Sequence, residues 1–137
     1  MTDLPLIARW QQLTHRLLAS LDAELADLGL SAAEINALAC FGGSTRRTVG
    51  ELVAATAQRP STLTGILDRL EARELVERTQ NPADRRSILV LLTPTGRAHA
   101  RRIAGAFADL EARLPAAEFR RVLASLDDAL APRNRTD

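Results

Sequence analysis

Apolar residues recur at helical spacing from Leu6 to Leu28. Leu6, Trp10, Leu13, Leu17, Leu21 and Leu25 fall on one stripe, with Leu18 and Leu28 beside it, while Asp22, Glu24 and Asp27 face elsewhere. Gly29 ends the run. Ser31 followed by Glu34 has capping-box spacing and starts a second helix, which carries Ile35, Leu38, Ala39 and Phe41 as far as Gly42-Gly43. Thr48 with Glu51 repeats the device and starts a short helix through Leu52, Val53 and Ala57. Pro60 suits the first turn of a fourth helix, where the N–H it lacks has no intrahelical partner anyway. That helix places Leu63, Ile66, Leu67 and Leu70 on one face and ends near Arg73 or Glu74.

The period then shortens. Leu75 to Thr79 alternates, Ile88 to Leu92 is a β-rich run, and the charged, turn-forming segment Asn81-Pro-Ala-Asp-Arg-Arg86 lies between them. Two strands with such a link predict a β-hairpin. Thr93-Pro94 starts a long helix through Ile103, Phe107 and Leu110; Pro115 breaks it, and a last helix carries Phe119, Val122, Leu123, Leu126 and Leu130. The tail after Pro132 is polar and expected to fray. The order predicts a mainly α protein with a small β-hairpin wing (α+β). Its winged helix-turn-helix lobe is expected over about 31–93, flanked by helices at about 4–28 and 94–131, within a single domain.

A chain of 137 residues is long enough for one such domain. No run is long and apolar enough for a membrane span, and the first ten residues lack the basic and apolar regions of a leader, so a cytoplasmic protein without a membrane partner is expected. The formal net charge is only +1, but its distribution is uneven. Residues 44–102 hold 11 arginines against 6 acids, and the rest of the chain holds 7 against 11. A basic middle between acidic ends points to a local surface that meets something anionic. There is no glycine-rich phosphate loop, no nucleophile elbow and no carboxylate pair beside a histidine, so neither an enzyme nor a cofactor is expected. Two separated histidines and one cysteine do not make a metal site.

The helix from Pro60 carries the candidate chemistry. Opposite its apolar face lie Ser61, Thr62, Thr64 and Gly65, with Arg59 before them and Arg69 further along. Small hydrogen-bonding residues near a helix start let the backbone approach a major groove, and the free N–H groups attract phosphate. A solvated helix start has the same composition. Arg85 and Arg86 at the hairpin tip favour the first reading, since arginine on a projecting loop suits a narrow minor groove. Arg46, Arg47 and Thr48, where the preceding helix starts, are candidate phosphate contacts. Asp68 or Asp84 is expected to pair with Arg85 or Arg86 and brace the wing.

Taken together, Thr48-Val-Gly-Glu-Leu-Val, Leu67-Asp-Arg-Leu-Glu, Leu75-Val-Glu-Arg, Asn81-Pro-Ala-Asp-Arg-Arg and Val90-Leu-Leu-Thr-Pro-Thr-Gly96 resemble the MarR family of bacterial transcriptional regulators. The resemblance implies a homodimer built from the N- and C-terminal helices, with two lobes that bind double-stranded DNA. It gives Arg86 the role of the wing arginine, Asp68 and Asp84 that of wing braces, and Ser61, Thr62, Thr64 and Gly65 that of the recognition face. One departure is Glu74, where relatives often have glycine at a left-handed helix end.

Apolar stripes that a lobe of this size cannot cover, among them Leu6, Leu13, Leu17, Phe119 and Val122, independently call for a partner copy. The resemblance also implies a small aromatic effector. Trp10, His15, Arg16, Cys40, Phe41 and His99 are its candidate pocket residues, but a structural role is the first reading of each: Trp10 and Phe41 are expected in the core and Cys40 as an inert buried thiol. The expected function is a dimeric repressor of a pseudo-palindromic operator. The alternative is a winged-helix module that acts through protein contacts without DNA.

Overall fold

The computed structural model describes residues 3–132; the polar tail after Pro132 lies outside them. The described elements are α1 (Leu6–Leu25), a 3₁₀ turn (Ala26–Leu28), α2 (Ala32–Ala39), β1 (Arg46–Thr48), α3 (Val49–Thr56), α4 (Pro60–Ala72), β2 (Val76–Gln80), β3 (Ile88–Leu92), α5 (Pro94–Glu111) and α6 (Ala116–Leu130). Two compact units divide between Ala106 and Phe107, inside α5. None of the described helices is long and apolar enough to cross a membrane.

The helix starts follow the local chemistry. Ser31 Oγ accepts the Glu34 N–H at 3.2 Å and Thr48 Oγ1 that of Glu51 at 3.1 Å. The reciprocal half of each capping box is not made: Glu34 turns to Arg69, and Glu51 lies 3.6 Å from Arg47. The turn after α1 closes on Gly29 in the left-handed region, φ 62°.

The wing differs from the expected two-stranded hairpin. Arg46–Thr48 form a third strand, giving an antiparallel sheet in the order β1-β3-β2. Arg46 stands opposite Leu91 and Thr48 opposite Leu89, while β2 and β3 pair from Val76–Leu92 to Gln80–Ile88. Three polar residues carry no periodic signal. They pair because the free edge of β3 offers backbone groups that would otherwise lack partners.

In the first unit the core gathers the buried face of α4 (Leu63, Ile66, Leu67, Leu70) with Phe41, Leu52, Leu75, Val76, Val90 and Ile103, all at most 2% exposed. From α1 only Leu21 and Leu25, near its C-terminal end, are buried. Trp10, expected in the core, is instead 43% exposed, because the stripe it belongs to finds no cover within the described residues, and Leu6 is 82% exposed. In the second unit α6 buries no residue, and Phe119, Val122, Leu123 and Leu130 are exposed.

The junction after α4 resolves the departure at Glu74. The Leu75 N–H donates to the Leu70 carbonyl at 3.0 Å and the Glu74 N–H to that of Glu71 at 2.9 Å, the paired bonds of a Schellman ending. This places Glu74 at φ 58°. A side chain in that conformation costs about 1–2 kcal/mol, part of which glycine gives back as unfolded-chain entropy. Glu74→Gly is therefore expected to raise stability by about 1 kcal/mol, read as a higher midpoint in denaturant with an unchanged slope.

Thr93 ties the same junction to α5. Its N–H donates to the Leu75 carbonyl at 3.1 Å and its hydroxyl to the Glu74 carbonyl at 2.7 Å, while Oγ1 accepts the Gly96 N–H at 2.9 Å. Pro94 and Gly96 follow in the first turn of α5. A Cβ on Gly96 would lie 1.9 Å from the Leu75 carbonyl oxygen, so only glycine lets this helix start so close to the strand.

Candidate nucleic-acid interface

Helix α4 exposes the residues that the sequence singles out. Ser61, Thr62 and Thr64 are exposed and Gly65 is half-buried. Arg59 precedes the helix without a side-chain cap, and Pro60 occupies its first turn, so the start of α4 presents N–H groups that no side chain caps. The Thr64 hydroxyl donates to the Pro60 carbonyl at 2.9 Å, which directs its proton inward and leaves the oxygen as an acceptor.

Both flanks of α4 are anchored. On the wing side, Arg78 of β2 donates through Nη2 to Asp68 Oδ1 at 2.5 Å and through Nε to Glu71 Oε2 at 2.7 Å. Hydrogen bonds to Asp68 first, and then to Glu71, hold the Arg78 guanidinium above its usual value. Asp68 thus braces the wing, but its partner is Arg78 rather than Arg85 or Arg86. Arg78 was legible only as one residue of an alternating strand. The pairing needs the tertiary placement of β2 beside α4. On the other flank, Arg69 Nε donates to Glu34 Oε1 at 3.2 Å, so this candidate DNA contact is partly engaged within the protein.

The wing tip is closed by its own bonds. Asn81 Oδ1 accepts the Ala83 N–H at 3.0 Å and Asn81 Nδ2 donates to Ser87 Oγ at 2.9 Å. Asp84 Oδ1 accepts the backbone N–H of Arg86 at 3.0 Å, so Asp84 shapes the turn and does not pair with either guanidinium. Arg85 and Arg86 are exposed, with no carboxylate within ion-pair distance among the described residues.

The expected phosphate contacts around β1 divide. The Arg47 guanidinium donates through Nε and Nη2 to the Phe41 carbonyl at 3.2 and 3.0 Å, which closes the end of α2. The Thr48 hydroxyl caps α3. Arg46 is exposed and has no acidic partner among the described residues. Ser44, Arg46, Arg47, Thr48, Asn81 and Pro82 line a cavity of about 380 Å³ between this strand and the wing tip.

The candidate pocket residues come from α1, the end of α2 and α5. Phe41 is core, Cys40 is half-buried with burial raising its thiol pKa, and the His99 ring stands 2.9 Å from the Thr95 carbonyl within α5. His15 and Arg16 share an open groove of about 490 Å³ along α1 with Ala8, Gln11, Gln12 and Ala19.

A short helix, a second helix with an open polar face and a three-stranded wing anchored to it define a winged helix-turn-helix lobe. The family model described as the MarR family matches residues 28–87. The HTH-type transcriptional repressor NicR of Pseudomonas putida is 50% identical over 48 residues, 35% of this chain and 30% of that protein. The repressor MdtR of Bacillus subtilis is 32% identical over 94 residues, 69% of this chain and 58% of that protein. These matches thus span less than two thirds of the curated relatives' length. Among solved structures, BpsR of Bordetella bronchiseptica, whose DNA binding is regulated by 6-hydroxynicotinic acid, superposes with TM-score 0.70 at 28% identity, over 89% of this chain and 96% of that one. A cysteine-to-serine variant of E. coli MarR complexed with operator DNA gives 0.69 at 27% identity, over 90% and 93%. The chain belongs to the MarR family.

Proposed function

We propose that the chain is a sequence-specific DNA-binding transcriptional regulator, a repressor that acts as a symmetric dimer. The observation that carries this reading is the surface of α4. Its uncapped start and small polar residues from Ser61 to Gly65 lie open between two anchored flanks, and Arg85 and Arg86, without an acidic partner among the described residues, stand at the wing tip. Helix N–H groups and hydroxyls bond phosphates and base edges, and the wing arginines suit a minor groove. Relatives named as repressors, and a neighbour bound to operator DNA, support the same reading.

The exposed apolar faces of α1 and of α6 support a dimer. Release by a small aromatic acid is supported by the responsive neighbour BpsR and by the groove that holds His15 and Arg16. Selection of bound duplexes from a random pool tests the function. The expected result is a two-fold related site with half-sites about one helical turn apart, bound with an affinity that falls steeply as salt rises. Equal retention of all duplexes, or none at low salt, would overturn the proposal.

A further inference from the structure

Glu34 is the only charged residue buried among those described, 7% exposed, and it stands in the first turn of α2. Its carboxylate accepts from Arg69, whose side chain is 57% exposed. Arg69 sits one turn beyond Gly65. A Cβ built on Gly65 would stand 3.7 Å from Arg69 Nη1, so the guanidinium lies back along the helix, against the bare backbone at that glycine. Thr62, Gly65 and Arg69 fall on one flank of α4 by helical spacing. Nε is engaged by Glu34, and among the described residues no hydrogen bond of Arg69 uses its Nη groups.

We infer that Glu34 is a positioning residue for DNA binding: from α2 it fixes the Arg69 guanidinium over Gly65, so that its Nη groups meet a phosphate beside the recognition helix. This rests on the proposed DNA-binding function. A free arginine loses rotamer freedom when it grips a phosphate, whereas one already held by a buried carboxylate has lost it before binding. Arg69 is the tenth residue of α4 and lies beyond the small residues at its start, where the helix flank runs beside the backbone rather than the base edges. Gly65 has a matching second role, because it leaves room for the guanidinium as well as for the groove.

The test is a double-mutant cycle on the full chain, with affinity measured for the selected duplex across a salt series. Glu34→Ala is expected to weaken binding about tenfold, and Glu34→Gln, which keeps an oxygen acceptor for Nε, by less. Arg69→Ala is expected to weaken binding at least as much and to make the salt slope shallower by about one. In the Arg69→Ala background, Glu34→Ala should cost nothing further. Undiminished binding by the Glu34 variants, or penalties that simply add, would overturn the inference while leaving the DNA-binding function standing. A wild-type chain that binds no duplex would instead remove that function and the inference with it. Thermal unfolding of each variant separates loss of positioning from loss of fold, and Glu34→Gln serves if Glu34→Ala does not fold.

Discussion

Replacing Gly96 by alanine is expected to destabilise the protein by about 3 kcal/mol or more, and to do so at a site with no functional side chain. The added Cβ would lie 1.9 Å from the Leu75 carbonyl oxygen, 2.9 Å from its carbon and 3.3 Å from its Cα, all backbone atoms that no rotamer change can move. Relief requires α5 to lift from the α4–β2 junction. Lifting strains the two bonds by which Thr93, at the start of α5, holds the Glu74 and Leu75 carbonyls. Gly105, later in the same helix, is the control. A Cβ there meets nothing within 4 Å, so Gly105→Ala is expected to stabilise by up to about 1 kcal/mol through helix propensity alone. Denaturant unfolding of the two variants should therefore move in opposite directions. Equal effects would mean that the close approach at Gly96 does not govern this junction.

Arg86→Ala is expected to give the largest loss of DNA affinity for a single side chain, about tenfold to a hundredfold, with little change in thermal stability. The second half of that expectation follows from how the tip is closed. Its hydrogen bonds involve Gln80, Asn81, Asp84, Ser87 and backbone groups, and the Arg86 contribution is its N–H, which alanine retains. Truncation removes a cation without loosening the loop that presents it. The salt dependence of binding should become shallower as well, since one counterion fewer is released. Asp84→Ala is the informative companion: it keeps the guanidinium but removes the acceptor that orders the turn. An Arg86→Ala protein that binds selected duplexes as tightly as the wild type would exclude the wing tip from the interface.

Much of the lobe is legible from local rules. Leu63, Ile66, Leu67 and Leu70 announce the buried face of α4 by spacing alone, and all four are buried. Ser31 and Thr48 announce helix starts because a hydroxyl at that position satisfies an otherwise free N–H. What escaped is tertiary. Strand β1 exists because β3 has an edge to fill, which no property of Arg46, Arg47 or Thr48 declares. Arg78 and Glu34 read as ordinary members of a strand and a helix, yet they anchor opposite flanks of α4. Charge pairs between distant elements leave no periodic trace, so the sequence supports an acid near the wing but names the wrong partner for Asp68. Trp10 shows the converse limit. Its stripe is a correct sign of amphipathicity, but a stripe does not say whether the apolar face meets this chain or another.

The C-terminal end of α1 is fastened more firmly than the rest of that helix. Arg73, at the end of α4, donates to the Leu28 and Gly29 carbonyls at 2.8 and 2.7 Å, and Arg102 of α5 grips Asp27 through two bonds of 2.8 and 2.9 Å. Beyond Leu21 toward its N-terminus, α1 buries no side chain. A helix of 20 residues is about 30 Å long, so this one has the proportions of a crank, clamped at its foot and free along its shaft. A tilt of about 5° at the foot sweeps the far end through roughly 2.5 Å, and the reverse motion concentrates the load from the shaft on the two carbonyls that Arg73 holds. The helix that carries the polar face and the helix with the bare apolar stripe thus share a mechanical joint at Leu28 and Gly29.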